Sequence, residues 1–354
     1  MNERDIVASG EAALAGQSVV PHEPVREFAD RAPETDEEAT NQGEHERWVF
    51  WQRQIHAAMV AERRFRNEAL ACETAYFGED KDTGINDGEK ASMSVIDDMT
   101  ALIHANIEVL KPLIFSETPQ PVIRRRWHGD GEADETDLMA AEAAQRLALY
   151  LLDTEDFDGA MIGARDDWLI AGRGSARVLY RATFAEDGVT KSDERVYPRH
   201  TPWPRVLFAP TPSWHTLPWS AIEVPMTRAK VEKRWPDHAE RFSYNTKGLT
   251  DSSLGISDDD RNRSGIGSLT NHLDESGAPV ASPFDTAMVW EIWNREEGKV
   301  IWWSASCAGY VLEEIDDPLQ LEDFYPMPKP LLATTKSESL NPRPDIRYYQ
   351  RRAE

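Results

Sequence analysis

A chain of 354 residues, 40% of them hydrophobic, has room and apolar material for two or three compact units. Acidic side chains outnumber basic ones by 63 to 39, a net charge of −24, and a protein that grips phosphates needs a broad basic surface, so nucleic acid is touched sparingly or repelled. The only cysteines, Cys72 and Cys307, support neither a disulfide framework nor a zinc finger; with no secretion-signal pattern and no apolar run of ~18 residues, the expectation is a reducing cytoplasm and no membrane.

Residues 1–44 carry eleven acidic side chains against three basic ones and almost no aromatic content, which predicts a disordered acidic arm. From Glu44 the spacing of Trp48, Trp51, Ile55, Met59, Phe65 and Leu70 predicts a long amphipathic helix ending near Gly78. A polar loop leads to a second helix with Ile96, Met99, Ile103, Ile107, Leu110 and Ile114 in one stripe and Pro112 in its last turn. Pro119 and Pro121 extend the chain before a third helix, from Asp134–Thr136 to about Leu152. A fourth runs from Asp156 to Ala171, with Phe157, Met161, Ala164 and Trp168 as its buried edge.

After Gly172 and Gly174 the period falls to two, and ARVLYRATF, RVLFAP and SAIEVP read as short strands. Met226 to Phe242 returns to helical spacing, and Asn245 to Pro283 reads as a mobile Gly, Ser and Asp loop. MVWEIW and KVIWWSA flank the turn NREEG, and GYVLEEI adds a third strand, which predicts a small tryptophan-rich meander.

Several chemistry-bearing patterns are better explained without chemistry. DGEADETD spaces carboxylates as a calcium loop does, yet Glu135 stands where that loop turns on glycine, so a solvated turn and helix cap is the reading. GRGS at Gly172–Ser175 lacks a full glycine fingerprint and a preceding strand, and close packing of helix on strand accounts for it. No HExxH pair and no GxSxG elbow is present, so no catalytic, cofactor-binding or metal-binding residues are assigned and the chain is not read as an enzyme. Trp290, Trp293, Trp302 and Trp303 could stack on a sugar or peptide, but tryptophans at strand spacing read first as a core or a subunit contact; they are the candidate interface. Arg124, Arg125 and Arg126 form the densest basic patch of the front half, a candidate contact for DNA or for a partner's carboxylates, if not simply solvated.

The order of elements resembles that of tailed-bacteriophage portal proteins, the head–tail connectors. SVIDDMTALIHANIEVLKPLIFSETPQPVIRRR is similar to their helix followed by an extended basic stretch, through Asn106, Pro112, Phe115, Ser116, Pro119 and Pro121. LYLLDTEDFDGAMIGARDDWLIAGRGSARVLY resembles the next block, through Asp166, Asp167, Gly172 and Gly174. PSWHTLPWSAIEVPMTRAKVEKRWP and VWEIWNREEGKVIWWS resemble the strand, helix start and hairpin that follow. FYPMPKPLLATTKSESLNPRPDIRYYQ resembles the proline-rich connector into a further long helix, through Leu340, Pro342, Pro344, Asp345, Tyr349 and Gln350. Prolines there fix an extended path and a set angle between modules.

The resemblance implies an α+β, portal-like fold: a helical wing region with short mixed strands and a small Trp-rich β meander. The expected divisions are a disordered arm at 1–44, a wing-like helical and β region at 45–225, a helix and mobile loop at 226–283, a clip-like meander at 284–323 and a connector at 324–354. It implies a homo-oligomer, a dodecameric ring at one capsid vertex of the virion, assembled in the bacterial host's cytoplasm and serving DNA packaging and genome ejection. Implied partners are the large terminase subunit, the major capsid and scaffolding proteins, head-completion or adaptor proteins, and double-stranded DNA that passes without sequence specificity. It also implies that further channel helices follow Glu354. The rival reading is a carbohydrate-binding or glycoside-hydrolase-like protein using the tryptophans and Glu291 with Glu313 or Glu314.

Overall fold

A computed structural model describes residues 36–77, 90–125, 132–184, 191–244 and 285–350. The chain divides into two units, Met1–Gly43 and Glu44–Glu354. The fold of the second is α+β. The loop expected at Asn245–Pro283 lies outside the described residues, as does most of the acidic arm. The part of that arm that is described, Asp36 onward, is already helical.

Helix α1 (Asp36–Phe77) spans 42 residues, about 63 Å at 1.5 Å per residue. Trp48, Trp51, Ile55, Ala58, Phe65, Ala69, Cys72 and Tyr76 are buried at three- and four-residue spacing, so one stripe faces the rest of the unit along most of its length. Met59 and Leu70, expected in that stripe, are only partly covered. Helix α2 (Lys90–Ile114) buries Ile103 and Ile107 against Cys72, Tyr76 and Ile170. Helix α3 (Glu132–Thr154) follows, and α4 (Phe157–Ala171) is capped by the Asp156 carboxylate, which accepts from Gly159 N at 3.0 Å. Ala160, Ala164, Ile170 and Ala171 are its buried residues, whereas Phe157 and Met161, expected there, are only partly covered.

Gly172 ends α4 in the left-handed region at φ 89°, and a β-carbon on Gly174 would stand 1.8 Å from the Ala164 carbonyl oxygen. The GRGS run is thus a close helix-to-strand junction. From it β1 (Arg173–Phe184) pairs antiparallel with β2 (Lys191–Thr201), a strand not predicted from the sequence. Strands β3 (Val206–Phe208), β4 (Trp219–Thr227), β5 (Thr286–Asn294), β6 (Lys299–Trp303) and β7 (Glu313–Asp316) form one antiparallel five-stranded sheet in chain order. The expected meander is therefore part of a larger sheet. The helix expected over Met226–Phe242 is a short α5 (Arg228–Arg234) that Pro236 breaks into a 3-10 turn.

Alternation sorts the indoles to opposite faces. Trp219 and Trp303 share the face that meets α1, where Trp51 lies edge-on to Trp219 and Trp48 stacks on Trp303 at 5.8 Å. Trp293 and Trp302 point the other way, against Phe324 and Trp235. The chain then runs extended: β8 (Leu331–Leu332) pairs with the start of β1, β9 (Thr334–Thr335) pairs with β10 (Pro342–Arg343), and α6 (Ile346–Gln350) sets Ile346 into the α1, α2 and α4 core.

Candidate assembly surface

Charged clusters fix the helices against the sheet. Glu62 and Arg66 lie one turn apart on α1, on the same side as its apolar stripe, and bond at 3.0 Å. Arg173, at the head of β1, gives Glu62 two further bonds at 2.7 and 3.1 Å. The terminal nitrogens of both arginines also donate to the carbonyls of Trp203, Pro204 and Val206, while the buried Arg173 Nε has no hydrogen-bond partner. Burial works to raise the Glu62 carboxyl, but the Arg173 and Arg66 guanidiniums outweigh it and hold it below the usual carboxylate range. The trio pins α1 and the head of β1 to the turn before edge strand β3.

Nearby, Asp167 Oδ2 accepts from Trp203 N at 2.9 Å and lies 2.7 Å from His200 Nε2, tying α4 to β2 and the same turn. Lys111 of α2 reaches Glu108 at 2.6 Å, the Tyr76 hydroxyl at 3.0 Å and Asp166 at 3.5 Å, joining α1, α2 and α4. Arg165 donates to the Phe115 carbonyl at 2.8 Å and so caps the end of α2 beyond Pro112. Glu223 of β4 is different. Its Oε2 is buried with no hydrogen-bond partner, and burial pushes its carboxyl up to about 7 against the pull of Arg66 and Arg205.

The four candidate interface tryptophans are core residues. Trp290, Trp293, Trp302 and Trp303 are 5%, 3%, 8% and 3% exposed, since five strands, α1 and the Phe324 and Trp235 segments together cover both faces. The three-stranded meander expected from the sequence could not have buried them, and the larger sheet removes the need for a partner there. Arg124 is exposed and Arg125 half-buried and already engaged on the stretch between α2 and α3; Arg126 lies outside the described residues. No hydrogen bond, ion pair or ring contact among the described residues joins Arg124 to the four buried tryptophans.

The uncovered apolar surface is elsewhere. On α2, Leu102, Val109 and Leu113 follow helical spacing beside the buried stripe and are 60%, 64% and 76% exposed. Val122, beyond the helix, is exposed as well. On α3 no residue from Glu135 to Thr154 is buried, although Met139, Ala143, Leu147 and Tyr150 form a stripe at i, i+4, i+8 and i+11. Scattered exposed apolar residues are ordinary, whereas aligned ones on two successive helices make a candidate surface for association. Neither a protein-family model nor a curated protein matches the chain. Among the described residues no group of His, Cys, Asp and Glu could hold a metal, and no helix is long and apolar enough to cross a membrane. What these stripes can do chemically is exclude water against another apolar surface.

Proposed function

We propose that this chain is a portal-type subunit that assembles with copies of itself into a ring, dodecameric by the resemblance, at one capsid vertex. The ring is a conduit for DNA packaging and ejection and a docking site for terminase and head-completion proteins, and the subunit is not an enzyme. The observation that carries this reading is the pair of uncovered stripes on α2 and α3, in the stretch where the portal resemblance begins. Burying each Leu, Val or Tyr of those stripes contributes roughly 1.5–3 kcal/mol, a gain open to a subunit only when a neighbour covers it. The connector is also in keeping. Pro326 O accepts from Val178 N at 2.7 Å, Asn341 Nδ2 donates to Ala61 O at 3.1 Å, and a β-carbon on Gly172 would lie 3.1 Å from Pro344, so the proline path is held at fixed points. The net charge of −24 suits a channel through which DNA slides without sticking.

A sugar platform needs open indole faces, and the four tryptophans offer none. Its candidate carboxylates are occupied as well: Glu291 by Arg177 and Trp293, Glu313 by Arg234 and Trp235, and Glu314 by Arg47. Mass photometry and negative-stain imaging of the full chain test the proposal. Discrete rings are expected; a monomer at all concentrations, or specific glycan binding by such a monomer, overturns it.

A further inference from the structure

The β1–β2 ribbon presents a face built for an acidic partner. In its register Arg177 stands opposite Arg199 and Arg181 opposite Arg195, with Leu179 and Tyr197 paired between them. One face therefore reads as two basic rungs around an apolar one. Like charges directly opposite one another destabilise a strand pair, so this arrangement has a cost within the subunit. Arg177 is offset by Glu291 at 2.9 Å, and Arg195 reaches Glu155 at 3.9 Å and is engaged elsewhere as well. Among the described residues no carboxylate lies within ion-pair distance of Arg181 or Arg199. Arg205 adds to the crowding: burial lowers its proton affinity, and the charges of Arg199 and Arg177 lower it further against the pull of Glu223.

Helix α3 has the opposite character. Beside its apolar stripe of Met139, Ala143, Leu147 and Tyr150, the positions of Glu135, Glu142 and Asp153 form an acidic ridge with Arg146 as its one cation. On the helix, Glu142 stands about 10 Å from Glu135 and about 16 Å from Asp153 along the axis. On the ribbon, the Arg177 and Arg181 rungs are about 13 Å apart. The two patterns have matching length scales, opposite charge and an apolar centre.

We propose that the arginine face of the β1–β2 ribbon of one copy docks the acidic, apolar face of α3 of a second copy. The contact is head-to-tail, the kind that closes into a ring when its rotation divides a full turn. It rests on the assembly reading above and names the surfaces that meet. A phosphate backbone would satisfy the arginines but would leave the apolar centre of the ribbon and the α3 stripe uncovered, so protein is the better match.

The test uses the full chain in a charge-reversal cycle. Arg181→Glu with Arg199→Glu reverses the ribbon, and Glu142→Arg with Asp153→Arg reverses the ridge; all four side chains are exposed, so far-UV circular dichroism is expected to stay unchanged. Each reversal alone is expected to weaken self-association at least tenfold by analytical ultracentrifugation. Carrying both reversals in one chain is expected to restore it to within about threefold, because the charges again oppose. If the wild-type chain assembles and neither reversal alters it, this contact is wrong while the assembly reading stands. The contact is also wrong if the ribbon reversal abolishes binding of a duplex DNA fragment at low salt and leaves assembly intact. A wild-type chain that never associates overturns both.

Discussion

At the scale of single residues, the buried carboxylates Glu223 and Glu62 respond to pH in opposite senses. Glu223 has its carboxyl raised by burial from an ordinary 4.5 to about 7, so the folded protein holds a proton there that the unfolded chain has released. Its contribution is complete below about pH 4.5 and is lost as pH rises through 7. Glu223→Gln is expected to remove up to about 3 kcal/mol of this pH dependence, read from urea midpoints at pH 5 and pH 8. Equal slopes for wild type and variant would refute the assignment. Glu62, held low by its arginines, contributes stability that is lost as pH falls through its depressed value. Glu62→Ala leaves two guanidiniums buried without a counter-charge and is expected to cost about 3–5 kcal/mol. Replacing Glu62, Arg66 and Arg173 together by apolar residues of similar size is expected to cost far less, and that contrast in denaturant midpoint checks whether the trio acts as one unit.

At the scale of elements, the tryptophans expected at an interface are core residues, and α3 leaves its apolar stripe uncovered. Trp293→Ser or Trp303→Ser removes a buried indole and is expected to cost about 3–5 kcal/mol with loss of the near-ultraviolet signal, a folding defect and not a selective assembly defect. Helix α3, with nothing buried from Glu135 to Thr154, is expected to exchange its amide hydrogens faster than α4 in the dilute subunit and to slow on assembly. Uniform protection of both helices in the dilute subunit would contradict this. The helices were legible because their apolar periods are long and unbroken, and β5 and β6 because Val, Ile and Trp fill them. Strand β2 was not, since KSDERVYPRHT carries a proline and five charged side chains and owes its form to ten rungs of pairing with β1. The uncovered apolar stripe of α2 was hidden for a related reason: the helical period puts Ile103, Ile107, Leu110 and Ile114 in one core stripe, and only packing shows that burial stops at Ile107 and that Leu102, Val109 and Leu113 are left uncovered beside it. Likewise Glu62 and Arg66 read as an ordinary surface pair until Arg173, 111 residues away, arrives beside them.

At the scale of the whole molecule, the first helix is completed by the last segments. Arg47 bonds Glu314 across 267 positions of sequence, the Trp48 indole donates to Ser304 O across 256, and Asn341 closes on Ala61 across 280. Contacts of such separation demand loop closure before they stabilise anything, so refolding from denaturant is expected to be slow and to populate collapsed intermediates, measurable by stopped-flow tryptophan fluorescence. A single fast exponential without missing amplitude would count against this. During synthesis the same topology becomes a matter of waiting. At about 5–20 residues per second, the buried side of α1 emerges on the order of 15–50 s before the strands and the connector that cover it. Through that interval Trp48, Trp51 and Ile55 stand open on many nascent chains of one polysome, in a protein whose finished fold itself leaves apolar stripes uncovered. A holding chaperone, or dense acidic flanks that keep neighbouring nascent chains apart, would then matter to yield as much as the stability of the finished fold.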